Sequence, residues 1–309
     1  WVENSAIEQF FFDLKLPVPH HYNQSIMLRA LKRLDKGILK TALETVTTQH
    51  DMLRAVVRDG KLFVRPIGDG AMATIDEFTI DEQDKASINL ISNNIESSID
   101  IENGPLMKVA LLHGTETDYL LLVIHHTVID GVSWLILLED LSTAYGQTME
   151  GLPVRLPAKT HSYKYYQEAM ERFKKSRILA AEKDYWEKVR AEVADTATSA
   201  GNDYSRHFSR QESVISADVA EALLDVPKHL ENVNMNDLLL TSLLRSYAAV
   251  TGKKKMSVLL EGHGRENIGE PLHIERAVGW FTSMCPVVLH QHSDDLLDNL
   301  VSVKDVLHR

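Results

Sequence analysis

The sequence contains a single cysteine, Cys285, among its 309 residues. One thiol cannot close an internal disulfide, and without paired thiols a cysteine-based zinc site is not expected. Long apolar runs are also missing: the longest, 119–124, falls far short of the roughly 18 residues that a membrane-spanning helix needs. The first residues lack the charged-then-apolar pattern of a secretion signal. These absences predict a cytoplasmic protein without a membrane partner.

Basic residues are in the minority. The chain has 33 Lys and Arg against 44 Asp and Glu, which gives a formal net charge of −11. Because this average charge repels a polyanion, a nucleic-acid partner is not expected. The remaining composition, 44% hydrophobic and 25% charged, is typical of a soluble globular protein, and the length allows about two domains.

Strand and helix patterns are mixed in both halves of the chain, which predicts an α+β fold. Asp59-Gly60 predicts a hairpin turn between two short strands, and Asp81 is placed to cap a helix. The other predicted strands are 23–31, 106–112, 119–124, 207–215 and 255–260. The predicted helices are 36–50, 81–99, 132–145, 162–175, 177–193 and 234–251.

A linker is predicted at 151–157, because two prolines and a glycine interrupt both periodicities there. We therefore expect two domains, 1–155 and 156–309. The second begins with charge-rich helices.

The segment His125-His126-Thr-Val-Ile-Asp130-Gly131 directly follows a buried-type strand and precedes a helix. Loops at strand ends are places where a scaffold exposes reactive side chains. Adjacent residues on a strand point in opposite directions, so at most one histidine faces a given cavity. The alternative is a pair of hydrogen-bonded core histidines with a helix-capping aspartate.

Spacing disfavours three familiar catalytic sites. The zinc-protease helix needs histidines four residues apart, whereas these two are adjacent. The segment 131–135 approaches a nucleophile elbow but ends in Leu135, where a second glycine is required. The glycines of 261–266 have neither P-loop nor dinucleotide-turn spacing. A metal site, a serine hydrolase and a nucleotide site are therefore not expected.

Four segments, taken in order, resemble the signature motifs of epimerization domains of nonribosomal peptide synthetases. They read PHHYNQS at 19–25, HHTVIDGVSW at 125–134, EGHGRE at 261–266 and VGWFTSMCP at 278–286. The bare HHxxxDG pattern is shared with condensation domains, while Ser133-Trp134 and EGHGRE favour epimerization. Cys285 departs from the family, which more often has an aromatic residue there.

The resemblance covers essentially the whole chain and implies a fold. It implies two chloramphenicol-acetyltransferase-like α+β lobes in a V arrangement, with HHxxxDG in the first and EGHGRE in the second. Family domains continue past the position that matches Arg309, so the second lobe is expected to be incomplete.

The resemblance also implies a reaction, inversion of the α-carbon of an aminoacyl or peptidyl thioester. The substrate would be attached to the 4′-phosphopantetheine arm of a carrier protein, with neighbouring synthetase modules as further partners and no metal or directly bound cofactor. His126 and Glu261 would be the acid/base pair, with Glu266 as a competitor to Glu261. Asp130 would pair with Arg265 between the lobes. The other supporting residues would be His125, Gly131, Ser133 and Trp134.

Two alternatives stay open. A condensation domain would use the same histidine to join an amine to an acyl thioester. A non-catalytic relative would only dock carrier proteins.

Overall fold

The computed structural model of the chain describes residues 1–70, 74–196 and 211–308. Its contacts form two compact units, Trp1–Ser176 with Gly262–Ser283, and Arg177–Glu261 with Met284–Arg309. The first unit thus runs past residue 155 and through the predicted linker. It also takes in a segment that the sequence prediction places in the second domain.

A four-stranded sheet organises the first unit. Its strands are β1 (Asn23–Arg29), β4 (Thr74–Thr79), β5 (Met107–His113) and β6 (Asp118–His125), in the spatial order β1-β6-β5-β4. The central strand β6 pairs antiparallel with β1 and β5, whereas β4 and β5 are parallel. The helices of this unit are α1 (Ala6–Asp13), α2 (Lys36–Gln49), α3 (Lys85–Ser97), α4 (Gly131–Met149) and α5 (Tyr163–Phe173).

The strands β5 and β6 are buried over nearly their whole length. A strand covered on both faces needs apolar residues at successive positions, which is why residues 119–124 of β6 form an apolar run. In the same core, α2 packs against α4, and α3 packs on β5 and β6. The predicted strands 106–112 and 119–124 and helices 36–50 and 132–145 are confirmed to within a few residues.

The hairpin prediction is also confirmed. Strands β2 (Ala55–Arg58) and β3 (Lys61–Val64) pair antiparallel, with Arg58 opposite Lys61. The two turn residues, Asp59 and Gly60, have φ of 50° and 69°. Positive φ at both positions is the type I′ geometry that matches the twist of paired strands.

The predicted cap of the third helix is wrong. This helix, α3, begins at Lys85, and its cap is Asp84, whose carboxylate accepts a hydrogen bond from the Ser87 N–H at 3.1 Å. Asp81 instead accepts from the Gln83 N–H at 2.9 Å, within a turn. Both aspartates lie close enough to the helix start to fit a cap pattern, and only the backbone path distinguishes them.

The second unit has a smaller core of its own. Its helices are α6 (Arg177–Ala181), α7 (Lys183–Thr196), α8 (Ala217–His229), α9 (Met235–Thr251) and α10 (Leu296–Leu307), and its strands are β7 (Lys255–Gly262) and β8 (Ser283–His290). The two strands pair, and α9 packs against α10. Asn234 caps α9. Of the predicted strand 207–215, residues 207–210 lie outside the described residues and 211–215 form no strand.

No helix among the described residues is long and apolar enough to cross a membrane.

The two aspartates before α3 give a matched test of the cap. We expect Asp84→Ala to lower the melting temperature more than Asp81→Ala, because only the first change leaves a helix-end N–H without its carboxylate partner. Thermal unfolding followed by circular dichroism measures both variants. An equal effect of the two substitutions would contradict this assignment.

Candidate functional site

The two adjacent histidines at the end of β6 have different surroundings. His125 is completely buried. Its Nε2–H donates to the Pro19 carbonyl oxygen at 2.9 Å, and its Nδ1 accepts from the Thr127 hydroxyl at 2.8 Å. Burial lowers the pKa of His125 to about 4, so the ring is neutral near pH 7. His125 therefore ties the end of β6 to the segment before β1.

His126 is half-buried and begins the single helical turn before α4. Its Nδ1 lies 2.8 Å from the Ile129 carbonyl oxygen, and its Nε2 lies 2.9 Å from Nε2 of Gln24. A carbonyl oxygen can only accept, so Nδ1 carries a proton. In the neutral ring the lone pair is then on Nε2, which is the nitrogen able to take up a proton.

Two aromatic rings contact His126. The Tyr22 ring stacks on it with centroids 5.5 Å apart, and the Trp280 ring lies at 4.5 Å. Because Tyr22 and Trp280 are themselves 5.9 Å apart, they lie on adjacent sides of the imidazole rather than opposite ones. Neither Tyr22 nor Trp280 is among the predicted site residues, although both belong to segments that resemble the family.

Asp130 joins the start of α4 to the segment that holds Trp280. One carboxylate oxygen accepts from the Ser133 N–H at 2.7 Å and caps the helix. The other accepts from the Phe281 N–H at 2.9 Å. Asp130 is 2% exposed, so both bonds are shielded from water. This carboxylate thus fixes the backbone beside Trp280 relative to the loop of His126.

The Ser133 hydroxyl makes a second connection to the same segment. It accepts from Nη2 of Arg265 at 3.0 Å and from the Gly279 N–H at 3.2 Å, and it donates to the Gly279 carbonyl oxygen at 3.0 Å. A hydroxyl has one proton and two lone pairs, so all its capacity is used. Alanine at this position would leave buried partners unsatisfied.

Arg265 completes this network. Its Nη2 lies 3.5 Å from a carboxylate oxygen of Asp130, and its Nη1 donates to the Ile274 carbonyl oxygen at 2.7 Å. The guanidinium carbon is 3.8 Å from the centre of the Phe281 ring. Burial lowers the pKa of Arg265, and the Asp130 charge opposes that effect. The two partners of this ion pair lie in the same unit.

Gly264, in the EGHGRE segment, has φ of 67°, and a Cβ there would overlap the Phe281 carbonyl oxygen. Its own carbonyl oxygen accepts from the Tyr166 hydroxyl at 3.0 Å. Burial raises the pKa of Tyr166 to about 12, so this hydroxyl keeps the proton it donates. Glycine is therefore required at 264. Gly131, by contrast, has open space around the position of a Cβ.

Glu8, which sequence analysis did not single out, anchors the Trp280 backbone from α1. The Tyr163 hydroxyl lies 2.7 Å from the Trp280 carbonyl oxygen and 3.0 Å from a Glu8 carboxyl oxygen. The hydroxyl is placed to donate to either oxygen, and when Glu8 is protonated its carboxyl can donate to the hydroxyl while the hydroxyl donates to Trp280. Burial raises the pKa of Glu8 to about 7. The Ser5-x-x-Glu8 capping box was the available sequence signal.

Glu261 lies on β7 in the second unit and is exposed. Glu266 lies in the first unit, also exposed, 3.4 Å from Nδ1 of His263. The pairing of His126 with Glu261 stays a prediction. Within the described ranges, no group of three His, Cys, Asp or Glu side chains is arranged to hold a metal ion.

Comparison with known proteins identifies a family. A family model for the condensation domain matches residues 6–309. Surfactin synthase subunit 1 of Bacillus subtilis (strain 168) is 37% identical over 316 residues, which covers 98% of this chain and 9% of that protein. The chain thus spans a small part of that relative's length.

Solved structures are also similar. The epimerization domain from the third module of tyrocidine synthetase B is 33% identical with a TM-score of 0.87, covering 100% of this chain and 71% of that one. The first condensation domain of the calcium-dependent antibiotic synthetase has a TM-score of 0.77 at 14% identity, covering 99% and 74%. The second likeness shows a shared fold alone.

The Ser133 hydroxyl network can be tested by a single truncation. We expect Ser133→Ala to lower the free energy of unfolding by about 1–3 kcal/mol, because it leaves buried groups of Gly279 and Arg265 without a partner. Ser142→Ala, on the exposed face of the same helix, is the matched control. Urea unfolding measures both. A loss no larger than the control's would contradict the network.

Glu8 predicts a dependence of stability on pH. Its pKa is raised from 4.5 to about 7 in the folded chain, so its contribution is complete below pH 4.5 and is lost as pH rises through 7. The loss is on the order of 3 kcal/mol. In Glu8→Gln the side-chain amide can still bond to the Ser5 N–H and to the Tyr163 hydroxyl, but it does not titrate. This variant should therefore lack this part of the pH dependence. Urea unfolding at pH 5 and 8 compares the two proteins, and equal pH dependence in both would refute the assignment.

Proposed function

The chain belongs to the condensation-domain family of nonribosomal peptide synthetases, and we propose that within this family it acts as an epimerization domain. It would convert the L to the D configuration at the α-carbon of an aminoacyl or peptidyl thioester. The observation that carries the proposal is the His126 imidazole, which presents a lone pair on Nε2 from a half-buried position. Similarity along the whole chain to a solved epimerization domain supports the choice within the family.

His126 would act as the base on one face of the α-carbon. Its Nε2 takes the α-proton, so that the C–H bond breaks, an N–H bond forms, and the electron pair is delocalised onto the thioester carbonyl oxygen as an enolate. A neutral imidazole suits this step, because its unprotonated nitrogen has a lone pair that can accept a proton. The Tyr22 ring, which stacks on the imidazole, and the tilted Trp280 ring pack against it and hold it in place.

Glu261 would act on the opposite face. In its protonated form it donates a proton to the enolate carbon, which forms the inverted C–H bond and leaves a carboxylate. The proton on His126 is then lost to solvent, and the carboxylate regains one. The remaining predicted site residues would support His126 and Glu261 without touching the reacting atoms. They are Asp130, Arg265, Ser133, Trp134, Gly131 and His125.

The proposed substrate also defines the partners. A carrier protein would deliver the thioester on its 4′-phosphopantetheine arm, and neighbouring synthetase modules would supply and consume it in the cytoplasm. No further cofactor would be bound directly by this chain.

Condensation is the second candidate, because the family model and the HHxxxDG segment are shared with condensation domains. A condensation domain would join two carrier-bound substrates into a longer peptide. An epimerization domain given one thioester returns both stereoisomers and exchanges the α-hydrogen with solvent. A docking relative would bind the carrier and do neither.

Solvent exchange at the α-carbon tests the proposal. The 309-residue chain is incubated in D2O with a phosphopantetheinylated carrier protein charged in turn with each chiral proteinogenic L-amino acid, and with the N-acetyl form of each as a minimal peptidyl group. We expect deuterium uptake by mass spectrometry and a D/L mixture by chiral chromatography for at least one of them. His126→Ala should slow the exchange by about 10²–10⁴-fold, the usual contribution of an acid/base group. His229→Ala, an exposed histidine on α8, is the control.

No exchange with any of these substrates would contradict the proposal, and peptide formation with a second charged carrier would favour condensation instead.

The choice between two glutamates needs a separate comparison. We expect Glu261→Gln to abolish inversion while Glu266→Gln retains it, because only the first removes the proposed acid. Chiral analysis of the released amino acid measures both. Activity that survives in Glu261→Gln and is lost in Glu266→Gln would overturn the assignment.

A further inference from the structure

Gln24 connects His126 to the indole of Trp134. It lies on β1, where pairing with β6 places it opposite Ile124, two residues before His126. Its Nε2 is 2.9 Å from Nε2 of His126, and its Oε1 accepts from Nε1–H of Trp134 at 2.7 Å. The half-buried Gln24 amide thus bridges two residues of the HHTVIDGVSW segment.

The Trp134 indole fixes which way this amide faces. Indole nitrogen can only donate a hydrogen bond, so the amide oxygen of Gln24 must be the atom that faces it. The amide NH2 group then faces His126. Rotating the amide by half a turn would place two donors against each other at Trp134, with the loss of a bond that is largely shielded from water.

The amide orientation in turn selects one form of the imidazole. An N–H of Gln24 can bond to Nε2 of His126 only if that nitrogen has its lone pair. The Ile129 carbonyl oxygen independently requires a proton on Nδ1. Both contacts therefore favour the same neutral tautomer, and a protonated Nε2 would meet the Gln24 amide donor to donor.

We propose that Gln24, anchored by Trp134, is a positioning residue that holds His126 with its proton on Nδ1 and its lone pair on Nε2. Its catalytic meaning rests on the proposed epimerization, in which Nε2 takes the α-proton and the amide must release that nitrogen to the substrate. Ser133 and Trp134 then have separate roles in the site. Ser133 fixes the backbone beside Trp280, and Trp134 fixes the Gln24 amide.

Nitrogen-15 NMR of the histidine-labelled 309-residue chain at pH 8 tests the tautomer directly. We expect His126 to be protonated on Nδ1. His125 is an internal reference with the opposite pattern, because its Nε2 donates to Pro19 and its Nδ1 accepts from Thr127. Finding the His126 proton on Nε2 in the wild-type chain would overturn the proposal.

Gln24→Glu should change this pattern. A carboxylate keeps an acceptor toward Trp134 and presents a second acceptor to His126, so we expect a proton on both His126 nitrogens at pH 8. Gln83→Glu, the same change at an exposed position before α3, is the control. Unchanged His126 resonances in Gln24→Glu would contradict the proposal, provided that the His125 resonances show an intact fold.

A second variant covers the case in which Gln24→Glu does not fold. In Trp134→Phe the Gln24 amide loses its anchor, while the Ile129 carbonyl oxygen still holds the His126 proton on Nδ1. We therefore expect the side-chain amide resonances of Gln24, observed in the glutamine-labelled chain, to shift or broaden. Unchanged Gln24 amide resonances in this variant would refute the anchoring role.

The deuterium-exchange assay tests whether Gln24 also affects catalysis. We expect Gln24→Glu to lower kcat by at least about tenfold with little change in KM, because the substrate still binds while the base is already protonated. A kcat within twofold of the wild-type value would contradict the proposal. If the wild-type chain shows no exchange at all, the proposed function fails while the tautomer measurement still decides the role of Gln24.

Discussion

The site depends on one buried carboxylate. Asp130 caps α4 with one oxygen and holds the Phe281 N–H with the other, beside the Arg265 guanidinium. A buried charge of this kind is tolerated only while its partners are in place, and removing one of them is costly. The Asp130 carboxylate joins the start of α4 to the segment that contains Trp280 and Phe281. Residues far apart in the sequence are brought together, and the Trp280 ring is kept against the imidazole of His126.

The neighbouring histidines show how surroundings separate two chemically identical side chains. His125 is buried and neutral, and both of its ring nitrogens are hydrogen-bonded, one to Pro19 and one to Thr127. Its role is therefore structural. The ring of His126 is half-buried, and its Nδ1–H donates to the Ile129 carbonyl oxygen. A base with a defined tautomer is what proton abstraction beside a thioester needs, because the ring does not have to rearrange before the transfer.

Local rules predicted the parts of the fold that local chemistry determines. The Asp59-Gly60 turn and the apolar run of β6 follow from propensity and periodicity. The cap of α3 was placed at Asp81 rather than Asp84, because two nearby aspartates fit the same pattern. Contacts between distant segments were not predictable in this way. Gln24 meets His126 across 102 positions of sequence, and Ser133 meets Gly279 across 146, so neither contact leaves a periodic signal. The family resemblance identified the segments that contain these residues, but it did not predict which side chains contact each other.

Removal of the α-proton by Nε2 of His126, as proposed above, can be examined in a structure of the chain with a substrate analogue bound. The measurement is the distance from this nitrogen to the α-carbon of an L-aminoacyl pantetheine amide, a stable analogue of the thioester, in a crystal of the complex. We expect a distance of about 3–3.5 Å, the separation from which a proton can be transferred, with the α-hydrogen directed at Nε2. An α-carbon held out of reach of His126, with another basic side chain in that place, would contradict it.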